Sequence, residues 1–143
     1  MKTISTTVLP AKLEYLSAFI EAVTKAAIHG GVDRKRLFYI ELAMEEVLTN
    51  IMYYAYEGTE GDIGVVCRSD SRQWFTIEIT DRGKAFDMTA VPSPNLTGTL
   101  SERKIGGLGI HFVKTLANEV LYRREGDRNI LELKISLHSP AVR

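Results

Sequence analysis

The chain has 143 residues, 45% of them hydrophobic and 25% charged, the make-up of a soluble globular protein large enough for one domain (1–143) with its own core. Lys+Arg and Asp+Glu number 18 each, giving zero formal net charge, so the basic surplus of a nucleic-acid binder is missing and no direct nucleic-acid partner is expected. A lone Cys67 excludes an internal disulfide; a buried, inert thiol in a reducing cytoplasm is the expectation. No stretch approaches the roughly 18 apolar residues of a membrane span, and MKTISTTVLPAKLEYL lacks an apolar leader core.

Residues 3–9 read as a short strand, after which Pro10 suits the first turn of a helix. Leu13, Leu16, Ile20, Val23 and Ala27 step by three and four along that helix, which stops at Gly30-Gly31. Asp33 is a fitting N-cap for a second helix, expected to end near Glu57-Gly58. Strands over 63–68 and 74–80 follow, joined by Ser69-Asp70-Ser71-Arg72; Phe75, Ile77 and Ile79 alternate with polar residues.

The second of these strands runs into Asp81-Arg82-Gly83-Lys84-Ala85-Phe86. From 87 to about 105 all periodicity is lost, which inside a compact domain points to a functional loop. Ile105-Gly106-Gly107-Leu108-Gly109 then opens a helix through Asn118. A closing hairpin has strands over 119–125 and 130–137 and a turn at Gly126-Asp127-Arg128-Asn129. The tail from Ser139 reads as frayed. The order β α α β β, loop, α β β predicts an α+β fold: a two-layer sandwich of a mixed, mostly antiparallel sheet with helices on one face.

The second helix holds the first functional signal. Ile40, Ala43, Met44, Val47, Ile51 and Ala55 recur on one helical face. With Val47 at its centre, 100° per residue puts Asn50 at about −60° and Glu46 at about −100°. A carboxylate and an amide thus sit one turn apart at the core edge, where each needs a partner. Glu45 falls on the solvent side.

Three elements stand out in order: Glu46 with Asn50, Asp81-x-Gly83 at a strand end, and Gly107-Leu108-Gly109 opening a helix. As an ordered set they resemble the nucleotide-binding Bergerat fold of the gyrase/histidine-kinase superfamily. EEVLTN…YAYEG, DRGKAFD and GGLGI are most similar to bacterial anti-sigma factor serine/threonine kinases, over nearly the whole chain. The resemblance implies ATP and Mg²⁺ as ligands, with Glu46 as general base and Asn50 as the magnesium ligand. Asp81, Gly83 and Ala85 would line the adenine site, Gly107, Leu108 and Gly109 the phosphate site, and 87–105 would be the ATP lid. Arg103 or Lys104 could add charge to the phosphates.

It further implies a small anti-sigma-factor antagonist as phosphoacceptor, a sigma factor as second partner, and a homodimer through the N-terminal strand and first helix. The physics agrees: an amide oxygen is a hard ligand suited to Mg²⁺, and backbone N–H groups at a helix N-terminus favour phosphate oxygens. No GxxxxGK[ST] phosphate loop occurs. The chain departs from the family at Ala85, where glycine is usual, and at Tyr53-Tyr54, where a histidine often follows. Asn129-Ile130 occupies the region of a common hairpin threonine.

Two other functions compete. A binding module could keep the fold and regulate a partner without phosphoryl transfer, though it would need neither Glu46 nor Asn50. A detached histidine-kinase catalytic domain would need a phosphoacceptor histidine on a dimerisation helix, a setting that none of His29, His111 and His138 has.

Overall fold

Period-two alternation builds one sheet. In the computed structural model, which describes residues 1–56, 59–90 and 113–138, five strands lie in the order β1-β2-β3-β5-β4. They are β1 (Lys2–Pro10), β2 (Asp62–Ser69), β3 (Trp74–Asp81), β4 (Glu119–Glu125) and β5 (Arg128–Ser136). Every ladder among them is antiparallel. The inward rows are Ile63, Val65 and Cys67 on β2, Phe75, Ile77 and Ile79 on β3, and Leu131, Leu133 and Ile135 on β5, all buried. Burial pushes the Cys67 thiol up to about 12, so it is a packed apolar group and not a nucleophile.

Two helices cover that face, α1 (Leu16–His29) and α2 (Leu37–Asn50). Phe19, Val23, Ala26 and Ala27 of α1 join Ile40, Ala43, Met44, Val47 and Leu48 of α2 in one core with the strand rows. The result is the expected α+β sandwich. Among the described residues no helix is long and apolar enough to cross a membrane.

The boundaries shift where local signals met non-local pairing. Pro10 does not start a helix; it ends β1, paired with Asp62 on an edge strand that tolerates its missing N–H. A 3₁₀ turn, Leu13–Tyr15, intervenes before α1, and Leu13 is exposed. Asp33 does cap, accepting from the Lys35 N–H at 2.9 Å, but the cap opens a 3₁₀ turn, Arg34–Arg36, ahead of α2. Beyond Asn50 the helix widens into a π turn, Ile51–Ala55. The β4–β5 turn is tighter than its composition suggests. Glu125 pairs directly with Arg128, Gly126 supplies a φ of +58°, and Asn129 belongs to β5.

Arg36 ties these layers together. It is buried, and its guanidinium donates to the Ser136 carbonyl at 2.6 Å and the Leu116 carbonyl at 3.1 Å. Burial holds its pKa below the ordinary value, with Asp33 opposing that shift. The arginine thus joins the start of α2 to the end of β5 and to the helical turn before β4. Arg36→Met keeps the volume but strands one buried and one part-buried carbonyl, and should cost roughly 2–4 kcal/mol. Urea denaturation would read the loss; an unchanged midpoint would show that neither carbonyl depends on the arginine.

Candidate functional site

Glu46 and Asn50 meet as their spacing predicts. The Asn50 amide nitrogen donates to the Glu46 carbonyl at 3.0 Å and to Glu46 Oε1 at 3.1 Å. Asn50 is 8% exposed and Glu46 half-buried, while Glu45 is in solvent. Burial raises the Glu46 pKa; the Asn50 hydrogen bond lowers it, and the Glu45 charge raises it further. Both described amide hydrogen bonds leave from the nitrogen, so the Asn50 oxygen is the end of that group left to accept. A carboxyl of raised basicity stands one turn away from it.

The strand end forms the second wall. Asp81 continues the inward row Phe75, Ile77, Ile79, so alternation itself sends its carboxylate to the helical side, where it is 5% exposed. Its Oδ1 accepts from the Gly83 N–H at 2.8 Å and from the Asn129 amide at 3.0 Å. Gly83 has a reason to be glycine that the sequence did not disclose. A Cβ there would stand 2.3 Å from the Ala55 carbonyl oxygen and 2.5 Å from the Ala55 Cβ.

The same carbonyl accepts from the Lys84 N–H at 2.9 Å. The loop after β3 is thereby docked on the π turn that ends the Glu46/Asn50 helix. That is how Asp81 and Gly83 are brought to the same end of the fold as Asn50. Ala85 and Phe86 are exposed on this loop.

Asn129 is the residue that the sequence reading placed wrongly. It extends the inward row Leu131, Leu133, Ile135 by one step, is 6% exposed, and pairs directly with Asp81 across the β3–β5 ladder. Its carboxamide also donates to the Lys84 carbonyl at 2.8 Å and accepts from the Phe86 N–H at 3.3 Å and the Tyr122 hydroxyl at 2.5 Å. Continuing the alternation backwards through the apparent turn would have found it. Tyr122 is likewise unmarked in the sequence.

Gly107, Leu108 and Gly109 lie outside the described residues, as do Arg103, Lys104, His111 and the expected lid beyond residue 90. Of the lid's start, Met88–Ala90 forms a 3₁₀ turn with Met88 buried, and the Lys114 ammonium donates to the Thr89 carbonyl at 3.0 Å. His29 is the exposed last residue of α1, and His138 meets the Arg72 carbonyl at the far end of the sheet.

Known proteins with the same sequence pattern sharpen this picture. The Serine-protein kinase RsbW of Listeria innocua is 31% identical over 124 residues, covering 82% of this chain and 78% of that protein. The Serine/threonine-protein kinase BtrW of Bordetella bronchiseptica is 30% identical over 97 residues, 67% of this chain and 68% of its own. Among solved structures, the Acinetobacter baumannii histidine kinase AdeS shares the fold at a TM-score of 0.54 and 14% identity, over 95% of this chain and 70% of that one. A histidine kinase domain from Erythrobacter litoralis does so at 0.53 and 20%, over 85% of this chain and 61% of that one. The family pattern of the histidine kinase-like ATPase domain matches residues 9–135. With that match spanning most of the chain, and with the antiparallel sheet backed by α1 and α2, the protein belongs to the histidine kinase-like ATPase domain family, within the Bergerat superfamily.

Proposed function

We propose that the protein is an ATP-dependent serine/threonine-protein kinase of the anti-sigma type, which phosphorylates a small antagonist protein and sequesters a sigma factor. The observation that carries this is the Glu46–Asn50 pair. One amide ties both side chains together, burial leaves Glu46 more basic than an ordinary carboxylate, and the amide oxygen takes part in neither of the two hydrogen bonds. The names of the RsbW and BtrW relatives support the kinase reading.

The residues fit the ligands the family implies. Among the described residues no cluster of carboxylates could cage a metal ion, and an amide oxygen suits Mg²⁺, which keeps its waters and bridges phosphates. Asn50 would hold that ion, and when bound it would offset charge on the transferring group. The described hydrogen bonds to Asp81 fall on Oδ1, so Oδ2 is the atom for the adenine amino group. Gly107, Leu108 and Gly109 would offer backbone N–H groups to the phosphates.

In the reaction, the acceptor hydroxyl oxygen bonds to the γ-phosphorus as the bond from that phosphorus to the β-phosphate oxygen breaks. ADP leaves, and the hydroxyl proton goes to Glu46. The described hydrogen bond to that carboxylate falls on Oε1, which leaves Oε2 for the proton. The reading carries with it a homodimer through β1 and α1 and a cytoplasmic setting.

Exposed Ala85 at a usual glycine, and Asn129 near the usual threonine, favour the second reading: a regulatory module that binds nucleotide and partner without transfer. Asp81→Asn tests the nucleotide site common to both. Loss of a charged acceptor should weaken Mg-ATP binding by about 1–3 kcal/mol in calorimetric titration. Undiminished affinity would remove Asp81 from the site.

A further inference from the structure

Asn129 does more than fill a turn. A carboxamide offers two N–H donors and an oxygen with two acceptor sites. Here all are spent: the nitrogen on Asp81 Oδ1 at 3.0 Å and the Lys84 carbonyl at 2.8 Å, the oxygen on the Phe86 N–H at 3.3 Å and the Tyr122 hydroxyl at 2.5 Å. No atom of it remains to touch a ligand.

The orientation of the amide has one solution. The Lys84 carbonyl can only accept and the Phe86 N–H can only donate, so a flipped amide would set oxygen against oxygen and N–H against N–H. The nitrogen is therefore held against Asp81. With the Gly83 N–H at 2.8 Å as a second donor on the same oxygen, Oδ1 is occupied and the direction of the carboxylate is set.

Tyr122 gives this arrangement its outer support. It stands on β4, an edge strand, opposite Leu131, and its hydroxyl reaches the Asn129 oxygen while β5 carries Asn129 opposite Asp81. Three strands thus converge on one carboxylate.

We propose that Asn129, buttressed by Tyr122, is a positioning residue that aims Asp81 Oδ2 into the base site and so makes the site select a purine bearing an exocyclic amino group. The proposal rests on the nucleotide reading above and adds the source of its specificity. A fixed carboxylate oxygen accepts; adenine brings an amino donor to it. Hypoxanthine brings a keto oxygen, which would face oxygen to oxygen. A carboxylate free to turn could present its other oxygen or draw in water, and the two bases would then be told apart less sharply.

The experiment measures the affinity of the full chain for Mg-ATP and Mg-ITP, in the wild type, Asn129→Asp and Tyr122→Phe, with thermal unfolding as the check on folding. Asn129→Asp is isosteric but sets an oxygen against Asp81 and against the Lys84 carbonyl. It should cut the ATP/ITP preference roughly tenfold or more, and Tyr122→Phe should cut it about fivefold, the scale of one hydrogen bond to a charged and to a neutral partner. Should Asn129→Asp not fold, Tyr122→Phe carries the test alone.

If both variants lose affinity for the two nucleotides equally and keep the ratio, the pair is merely structural and the proposal is wrong. A wild type that binds ATP without preferring it to ITP also overturns it, while leaving nucleotide binding intact. A wild type that binds neither nucleotide removes the nucleotide reading and this proposal together.

Discussion

Glu46→Gln should lower phosphoryl transfer by about 10²–10⁴-fold, the usual scale for a positioned general base, while nucleotide and partner stay bound. The glutamine keeps an oxygen to accept from the Asn50 amide, so the bond at 3.1 Å survives and the local geometry with it. What is lost is the capacity to take a proton. Transfer by the wild type should rise with pH as Glu46 ionises. Its pKa is raised by burial, so that limb lies above the range of an ordinary glutamate.

Stability should move the other way. Since Glu46 binds its proton more tightly when folded, its contribution favours the folded state at low pH and is lost as pH rises through the raised value. At neutral pH Glu46→Gln should therefore unfold no more easily than wild type, and it should flatten the pH dependence. Glu45→Gln, on the solvent side of the same turn, is the control and should change little. A paired assay of label transfer and thermal unfolding decides the matter. Full transfer by the Glu46→Gln variant would mean that the base lies elsewhere.

Asn50→Ala should fail differently, losing Mg-dependent nucleotide affinity and transfer together. Taking away a metal ligand at the transferring phosphate should remove roughly 2–4 kcal/mol of transition-state stabilisation, about 30- to 900-fold in rate. The same truncation deletes the Asn50 donor that lowers the Glu46 pKa. Residual activity should thus show its acidic limb shifted upward. Titration with ATP in magnesium and in excess chelator gives the binding half of the test. An Asn50→Ala protein whose affinity still responds to magnesium as wild type does would take Asn50 out of the metal site.

Where physics is local, the sequence could be read. Helical periodicity put Val47 at the core, Glu46 and Asn50 at its border and Glu45 in solvent, and the structure agrees in each case. Period-two alternation likewise oriented Phe75, Ile77 and Ile79, and carried one step further it predicts the inward carboxylate of Asp81.

Pairing across the sheet is not local, and there the reading failed. Gly126-Asp127-Arg128-Asn129 has the composition of a turn, but the ladder with β3 claims Asn129 for β5, and Arg128 goes with it. Arg36 carries no mark in the sequence, and only tertiary packing buries it on two carbonyls. The glycine at 83 could be matched to a motif, but its close approach to Ala55 depends on the π turn, which no residue pattern announces.

Phosphoryl transfer itself separates a kinase from a regulatory binding module. The purified chain, incubated with Mg-ATP labelled at the γ-phosphate and with a small candidate antagonist protein that it demonstrably binds, should place label on a serine or threonine of that protein. Label on the antagonist that disappears with Glu46→Gln is the predicted result. Tight binding of both Mg-ATP and the antagonist with no label transferred would contradict the kinase reading and leave the regulatory binding module in its place.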